Sequence, residues 1–211
     1  MGTIDSLRSL IAAKFPAAPP PPPSAALPTG LPCIDALTGG LPGNSLTECS
    51  GPLSCGSLLL HALLETTASR QSFAALIDPA CAFDPGSYPP DLLPRLLWAQ
   101  PPSPAKALAA ADLLLRDANL PLVILDLQLC LPQDLQKLPT SSWHRLQRLL
   151  ESSSAALLVL SRFPSVPSAR LRLHLHADHR LAALATPRHE LAPALSASQE
   201  RIRPLHHAHP A

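Results

Sequence analysis

Two glycines, Gly51 and Gly56, stand at the spacing of a phosphate-binding loop in the stretch GPLSCGSL, residues 51–58. Such a loop reads Gly, four residues, Gly, Lys and Ser or Thr; its lysine holds the β- and γ-phosphates and its hydroxyl binds Mg²⁺. Here Ser57 stands at the lysine position and Leu58 at the hydroxyl position. Four backbone N–H groups could still cradle an anion, those of Ser54, Cys55, Gly56 and Ser57. A tight turn that needs small residues would explain the same glycines.

A second candidate is Asp126, near the end of the apolar run LPLVILDL, residues 120–127. A carboxylate at the tip of a buried strand, beside a glycine loop, is placed to hold Mg²⁺ through water in a phosphoryl-transfer site. An aspartate that only caps the next turn would look the same. Because the glycine loop lies upstream at the matching place, we favour the nucleotide-site interpretation.

Three arginines are candidates for contact with DNA. Arg145 and Arg148 are three residues apart on a predicted helix and share a face, and Arg172 lies on a predicted strand. Together they could form a modest stripe for phosphate groups. A solvated outer face is the alternative, and the balanced net charge favours it.

The histidines raise the question of a metal. His174 and His176 alternate onto one face of a predicted strand and could chelate an ion. However, no cysteine or carboxylate follows at a spacing typical of zinc fingers, and structural zinc needs four ligands. We therefore predict no metal site.

Composition excludes several classes of protein. The chain has 211 residues, 16 basic against 15 acidic, so no global charge indicates a nucleic-acid or membrane partner. The longest apolar runs are too short to span a bilayer, and we expect no membrane association. Five cysteines without a CxxC pair are typical of reduced thiols, which predicts a cytoplasmic protein. Among them, Cys55 in the glycine loop is the one that could matter functionally.

The chain divides into four parts. Residues 1–15 read as an amphipathic docking helix, and residues 16–27 form a proline-rich linker that contains PPPPP. The core is predicted over residues 28–195, and residues 196–211 are predicted to be a disordered tail.

Within the core, predicted strands and helices alternate. The strands are expected at 45–50, 72–78, 95–100, 120–127, 155–161 and 169–177, the last one exposed or at a sheet edge. The helices are expected at 56–70, 103–118 and 140–154. Apolar strands separated by helices predict an α/β fold with a mostly parallel sheet and helices on both faces.

Several motifs resemble the RecA superfamily. The block TGLPCIDALTGGLPGNSLTECSGPLSCGS, residues 29–57, resembles the opening of the bacterial RecA recombinase core. ALIDPACAFDP, residues 75–85, is similar to the next RecA strand and its turn, and LVILDL, residues 122–127, falls at the second nucleotide motif. The resemblance implies a RecA-like core with a degenerate phosphate loop. The compact chain looks most like the ImuA/SulA-like group, accessory proteins of SOS-induced translesion synthesis.

The departures from this resemblance bear on catalysis. The phosphate-loop lysine maps to Ser57, the magnesium-binding hydroxyl to Leu58, and the glutamate that activates water to Ala80. Each loss removes transition-state stabilisation. We therefore expect a pseudo-ATPase rather than an enzyme, with no required cofactor, although weak binding of ATP and Mg²⁺ stays open.

The resemblance implies a non-catalytic accessory protein in DNA repair that contacts the proteins of a translesion polymerase assembly. Self-association through the N-terminal helix is a further expectation, with Leu7, Leu10 and Ile11 inserting into a neighbour. One alternative is an ATP- and DNA-binding module with residual nucleotide-dependent DNA binding. Another is a regulator of cell division in the SOS response.

Overall fold

A computed structural model describes residues 26–117, 119–179 and 181–202 of the chain. The predicted docking helix, with Leu7, Leu10 and Ile11, lies outside the described residues, as does the proline-rich linker up to residue 25. The described part begins beside Leu27, which pairs with Leu41 in an isolated antiparallel bridge.

Seven strands form a single sheet in the order β3-β2-β4-β5-β1-β6-β7. All neighbouring strands run parallel except β6 and β7, which are antiparallel. The strands are β1 (Ser45–Ser50), β2 (Ala74–Ile77), β3 (Leu96–Ala99), β4 (Leu122–Asp126), β5 (Ala156–Ser161), β6 (Leu171–His176) and β7 (Ser196–Ile202).

Three longer helices follow strands of the parallel sheet: α2 after β1, α3 after β3 and α5 between β4 and β5. The α-helices are α1 (Pro32–Thr38), α2 (Leu53–Ser69), α3 (Pro104–Asp117), α4 (Pro132–Gln136), α5 (Thr140–Glu151) and α6 (Arg188–Leu191). Short 3₁₀ turns cover Pro85–Ser87, Pro90–Arg95, Leu181–Ala185 and Ala192–Ala194. None of the helices in the described part is long and apolar enough to cross a lipid bilayer.

Adjacent strand residues face opposite cores, which is why the central strands read as continuous apolar runs. On β4, Ile124 joins the core beneath α1 and α2, whereas Val123 and Leu125 join the core beneath α3 and α5. Helix α5 closes the second core with side chains at helical spacing, Trp143, Leu146 and Leu150. The predicted α/β fold, with a mostly parallel sheet and helices on both faces, is therefore confirmed.

Two predicted boundaries differ from the structure. Helix α2 begins at Leu53 rather than at residue 56, so most of the glycine loop is helical. The sheet also continues past the predicted end of the core at residue 195, because β7 pairs with β6 through the first residues of the supposed tail. Residues 203–211 lie outside the described part.

Strand β6 was expected to be exposed or at an edge, and it is interior, between β1 and β7. Its strict alternation has another cause. Leu171, Leu173 and Leu175 are buried against the core of α2, whereas the opposite face of the strand carries partly exposed polar side chains. A strand with one covered face alternates whether or not it is at the edge.

Candidate functional site

The connection between β1 and α2 contains only Gly51 and Pro52. Gly51 has φ +149°, and a Cβ atom there would collide with the carbonyl oxygen of Leu175, so glycine is required at this close approach to β6. The N–H groups of Cys55 and Gly56 donate to the Pro52 carbonyl over 3.0 and 3.4 Å. Two of the four N–H groups that could cradle an anion are thus bonded inside the first helical turn.

Gln128 covers the second glycine of the motif. A Cβ atom on Gly56 would overlap the carboxamide of Gln128, a side chain that is only 6% exposed. Gln128 follows β4, so the end of the second predicted motif packs directly onto the first. A glycine is therefore needed at position 56 because a buried protein side chain lies against it.

Arg188 reaches the position that would carry the phosphate-loop lysine. Its Nε donates to the Ser57 Oγ over 3.3 Å, and its terminal nitrogens donate to the hydroxyl and the backbone carbonyl of Ser87. The guanidinium also lies over the ring of Tyr88, 4.4 Å from its centroid. One arginine of α6 thereby fastens α2 to the turn that follows β2.

Asp126 ends β4 as predicted, and its Oδ1 accepts a hydrogen bond from the Gln128 N–H over 3.0 Å. Burial, together with the nearby charge of Asp78, raises the pKa of the Asp126 carboxyl to about 6. Asp78 is fully buried and accepts from the N–H groups of Ala82 and Phe83, so it caps the turn after β2. A raised pKa of the kind seen at Asp126 is typical of carboxyl groups at functional sites.

A pocket of about 950 Å³ lies between the outer face of α2 and the segment 179–191. Ser54, Ser57 and Leu58 line it on the α2 side, so three candidate residues face one cavity. Arg188 lines the opposite side. Leu58, at the hydroxyl position, contributes an apolar wall where the motif would place a metal ligand.

His61 is the unusual group in this pocket. It is 4% exposed, its Nε2 lies 3.3 Å from Oε1 of Glu65, and its Nδ1 has no hydrogen-bond partner. Burial is the main cause that lowers the pKa of this imidazole, so the ring is neutral. With the Nε2 proton directed at Glu65, the buried Nδ1 keeps a lone pair without a hydrogen-bond donor.

Cys55 is buried in α2, and burial raises the pKa of its thiol above the ordinary value. A thiol of this kind is a poor nucleophile. Among the described residues, no three histidine, cysteine, aspartate or glutamate side chains converge in a way that could hold a metal ion.

The structure does not assemble the three arginines into one DNA-binding stripe. Arg172 is partly buried, and its Nε donates to Oε2 of the fully buried Glu48 over 2.8 Å. Arg145 is exposed and pairs with Asp112 of α3, with 2.7 Å between Nε and Oδ1. Arg148 is exposed near the end of α5. Arg172 was therefore misassigned, because a strand pattern does not reveal an acid on the neighbouring strand.

Sequence reasoning missed Gln128 and Arg188, the two side chains that define the site. No local pattern identifies Gln128, whose role depends on β4 ending beside the start of α2. Arg188 left a weak signal, since it is the only lysine or arginine between residues 181 and 200. A lone cation in an apolar segment indicates a specific partner. The sequence does not identify that partner, because Ser57 and Arg188 are far apart in the chain.

Comparison with known proteins relates this chain to RecA. It is 37% identical to protein RecA of Clavibacter michiganensis over 109 residues, which is 48% of this chain and 30% of that protein. It is also 37% identical to protein RecA of Picosynechococcus over 108 residues, again 48% of this chain and 30% of that protein. The chain thus spans less than a third of the length of these curated relatives. No protein-family model matches it.

The fold is shared with a solved recombinase. The crystal structure of the RadB recombinase superposes with a TM-score of 0.61 at 17% identity, covering 84% of this chain and 90% of that one. At this identity the superposition shows the fold alone. The sequence matches and the fold together support the predicted relationship to the RecA superfamily.

Proposed function

We propose that this chain is a non-hydrolysing RecA-like accessory protein of DNA repair, which acts through protein contacts in SOS-induced translesion synthesis. The observation that carries the proposal is the closed glycine motif. The helix starts two residues after the strand, Gln128 covers Gly56, and Arg188 binds Ser57. A triphosphate would have to displace these contacts and would find no lysine in the loop.

The missing groups weigh against hydrolysis independently of the closed motif. Removal of one oxyanion-stabilising donor commonly costs roughly 3–4 kcal/mol of transition-state stabilisation. Here Ser57 and Leu58 replace a cation and a metal ligand, and Ala80 lies after β2 where the resemblance expects the base. Asp78, Asp84 and Asp126 remain, but none of them stands at the position of the base.

The catalytic part of the proposal is tested by measuring release of inorganic phosphate from Mg-ATP, with and without single-stranded DNA. We expect no turnover above the protein-free rate. We expect the same of Ser57→Lys/Leu58→Thr, because restoring these two side chains leaves Gln128 packed over Gly56 and Ala80 at the position of the base. Mg²⁺-dependent turnover that Asp126→Asn abolishes would refute the proposal.

The repair part is tested in the native host by counting mutations after ultraviolet damage. Deleting the chain should lower the mutation frequency, and both the wild-type chain and Asp126→Asn should restore it. An unchanged frequency in the deletion strain would reject a role in translesion synthesis, whatever the ATPase result.

A second candidate function is an ATP- and DNA-binding module that binds nucleotide without efficient turnover. The observation in its favour is the pocket beside α2, where the buried His61 Nδ1 has no partner and Arg188 supplies a positive charge. Calorimetric titration with Mg-ATP tests it, with His61→Phe as the variant. Low-micromolar binding that this change abolishes would favour this candidate over the first.

A further inference from the structure

A second pocket lies at the carboxyl ends of β4 and β5, away from the α2 pocket. It has a volume of about 410 Å³ and is formed by two segments, residues 127–136 after β4 and residues 162–165 after β5. Apolar groups from both segments line it, among them Leu127, Leu135 and Pro164. We call it the carboxyl-edge pocket. Its size suits the burial of a large side chain.

Large apolar side chains are exposed in the same two segments. Phe163 is 66% exposed, Leu131 57% and Leu129 50%. These are three of the eight large apolar side chains exposed in the described part of the chain. Single exposed apolar residues are ordinary, but a group beside an apolar pocket is typical of a binding surface.

Among the described residues that line this pocket, Arg162 is the charged one. Its guanidinium lies 5.9 Å from the ring centroid of Phe163. Burial raises the pKa of the lining Cys130 thiol, and the nearby carboxylates of Asp126, Asp78 and Asp134 raise it further. The other polar side chains that line the pocket are the neutral Gln128, Gln136 and Ser165, and no described lining residue is acidic. Asp134, on the adjoining helix, has its carboxylate paired with Lys137 over 3.1 Å. The complementary ligand therefore combines an apolar group with a nearby negative charge.

A single-stranded nucleic acid also combines negative charge with stackable rings, but it fits these observations less well. Proteins that bind single strands track the phosphate backbone with several cations and stack bases on flat aromatic surfaces. Here one arginine accompanies a recessed aliphatic pocket, and the chain has a formal net charge of only +1. An amino-acid side chain enters such a pocket more readily than a base does.

We propose that the carboxyl-edge pocket docks a peptide segment of a partner protein, in which a large apolar side chain inserts beside an aspartate or glutamate. The apolar side chain fills the space between Leu127, Leu135 and Pro164, and its acidic neighbour pairs with Arg162. Phe163 covers the inserted group from the solvent side. This inference rests on the proposed function, because it names the surface through which an accessory protein makes its contact.

The experiment starts from short random peptides displayed on phage and selected on the immobilised full chain. We expect enriched sequences to share a leucine or aromatic residue next to an acid. Fluorescein-labelled copies of these peptides are then titrated with the chain and followed by fluorescence anisotropy. Arg162→Glu and Phe163→Ala should each weaken binding by roughly tenfold or more. Both positions are exposed, so neither change should disturb folding.

The chain contains a matched control. Phe73 is 50% exposed, and the guanidinium of Arg95 lies 5.2 Å from its ring centroid, so this pair resembles Phe163 and Arg162 without the pocket. Phe73→Ala should leave peptide binding unchanged. A peptide whose acid is replaced by lysine should bind the Arg162→Glu variant better than it binds the wild-type chain.

Three results would overturn the inference. Selection could enrich no common sequence, or the enriched peptides could bind Arg162→Glu and Phe163→Ala as well as they bind the wild type. Labelled oligothymidylate could instead bind and be lost in these two variants, which would assign the surface to nucleic acid. ATP turnover would refute only the proposed function, since the peptide titrations contain no nucleotide and report on this pocket alone.

Discussion

The guanidinium of Arg188 lies against Ser57, with its Nε 3.3 Å from the Ser57 Oγ. A cation from the carboxyl-terminal part of the chain thus occupies the place where a phosphate loop has its lysine. The same guanidinium donates to the hydroxyl and the carbonyl of Ser87 and lies over Tyr88. We therefore interpret Arg188 as a structural clamp that holds α2 against the turn after β2.

The clamp interpretation predicts that loss of the Arg188 side chain destabilises the protein, and that a different positively charged side chain does not restore the stability. Arg188→Ala should lower the free energy of unfolding by about 1–3 kcal/mol, because it removes hydrogen bonds from a charged, partly buried donor. Arg188→Lys should recover little, since one ammonium group cannot reach both serines and lie flat on the ring. Urea unfolding followed by circular dichroism measures both variants.

Arg148→Ala is the control for this prediction. Arg148 is exposed on α5, and its loss should change the unfolding free energy by no more than about 0.5 kcal/mol. If Arg188→Lys proved as stable as the wild type, a positive charge would suffice at this place and the clamp interpretation would be wrong.

The fold was predictable because its signals are local. Each central strand is a short apolar run and each long helix has apolar side chains at helical spacing, as in Trp143, Leu146 and Leu150 of α5. Strand β7 escaped prediction because SASQERI is polar; it is held by pairing with β6 rather than by its own composition. Long-range pairing of a polar segment leaves no periodic signal.

The candidate site was predictable only in part. The glycine spacing predicted a helix directly after β1, although α2 begins at Leu53 and not at residue 56. The apolar run before Asp126 located the end of β4. The sequence did not reveal that the two ends meet through Gln128 and Gly56, since that contact joins residues far apart in the chain. For the same reason Arg172 was read as a surface cation, although its partner Glu48 lies on the adjacent strand.

The contact between Gly56 and Gln128 predicts that two mutations are coupled. Alanine normally favours a helix over glycine by about 1 kcal/mol. In Gly56→Ala this gain should be cancelled or reversed, because the new methyl group displaces the buried carboxamide of Gln128. In a Gln128→Ala background the gain should reappear. Thermal unfolding of the four proteins of this double-mutant cycle measures the coupling.

Independent behaviour of the two changes would contradict that contact. The coupling energy would then lie within about 0.3–0.5 kcal/mol of zero, as it does for mutations at distant sites. Gly86→Ala offers a comparison, since a Cβ at that exposed turn would meet only Asp84 at 3.3 Å. It should show no coupling with Gln128→Ala.

Asp126 predicts a pH dependence of stability. Its pKa is about 6 in the folded protein, raised mainly by burial, against an ordinary value of 3.8. The folded state therefore binds the Asp126 proton more tightly than the unfolded state does. Protonation of Asp126 thus adds to the free energy of unfolding, fully below pH 3.8, and this contribution is lost as the pH rises through about 6. At neutral pH, Asp126→Asn should stabilise the protein by about 2–3 kcal/mol, because it removes the buried charge.

The measurement is the free energy of unfolding of wild type and Asp126→Asn across this pH range. The two curves should converge at acid pH and separate toward neutrality. Asp91→Asn, at an exposed position, should follow the wild type throughout. A constant difference between Asp126→Asn and the wild type at every pH would mean that the carboxyl does not titrate as proposed.

The ion pair between Arg172 and Glu48 allows a test of whether Arg172 has a structural role or binds DNA. Glu48 is fully buried and also accepts hydrogen bonds from Ser161, Ser165 and Val166. Arg172→Ala would leave this carboxylate unpaired, which should cost about 3–5 kcal/mol of unfolding free energy. Glu48→Gln/Arg172→Met should recover part of that loss, because neither charge remains.

If Arg172 instead served to bind DNA, Arg172→Ala would unfold at the wild-type temperature. Only the salt dependence of DNA binding would change, and fluorescence anisotropy measures it.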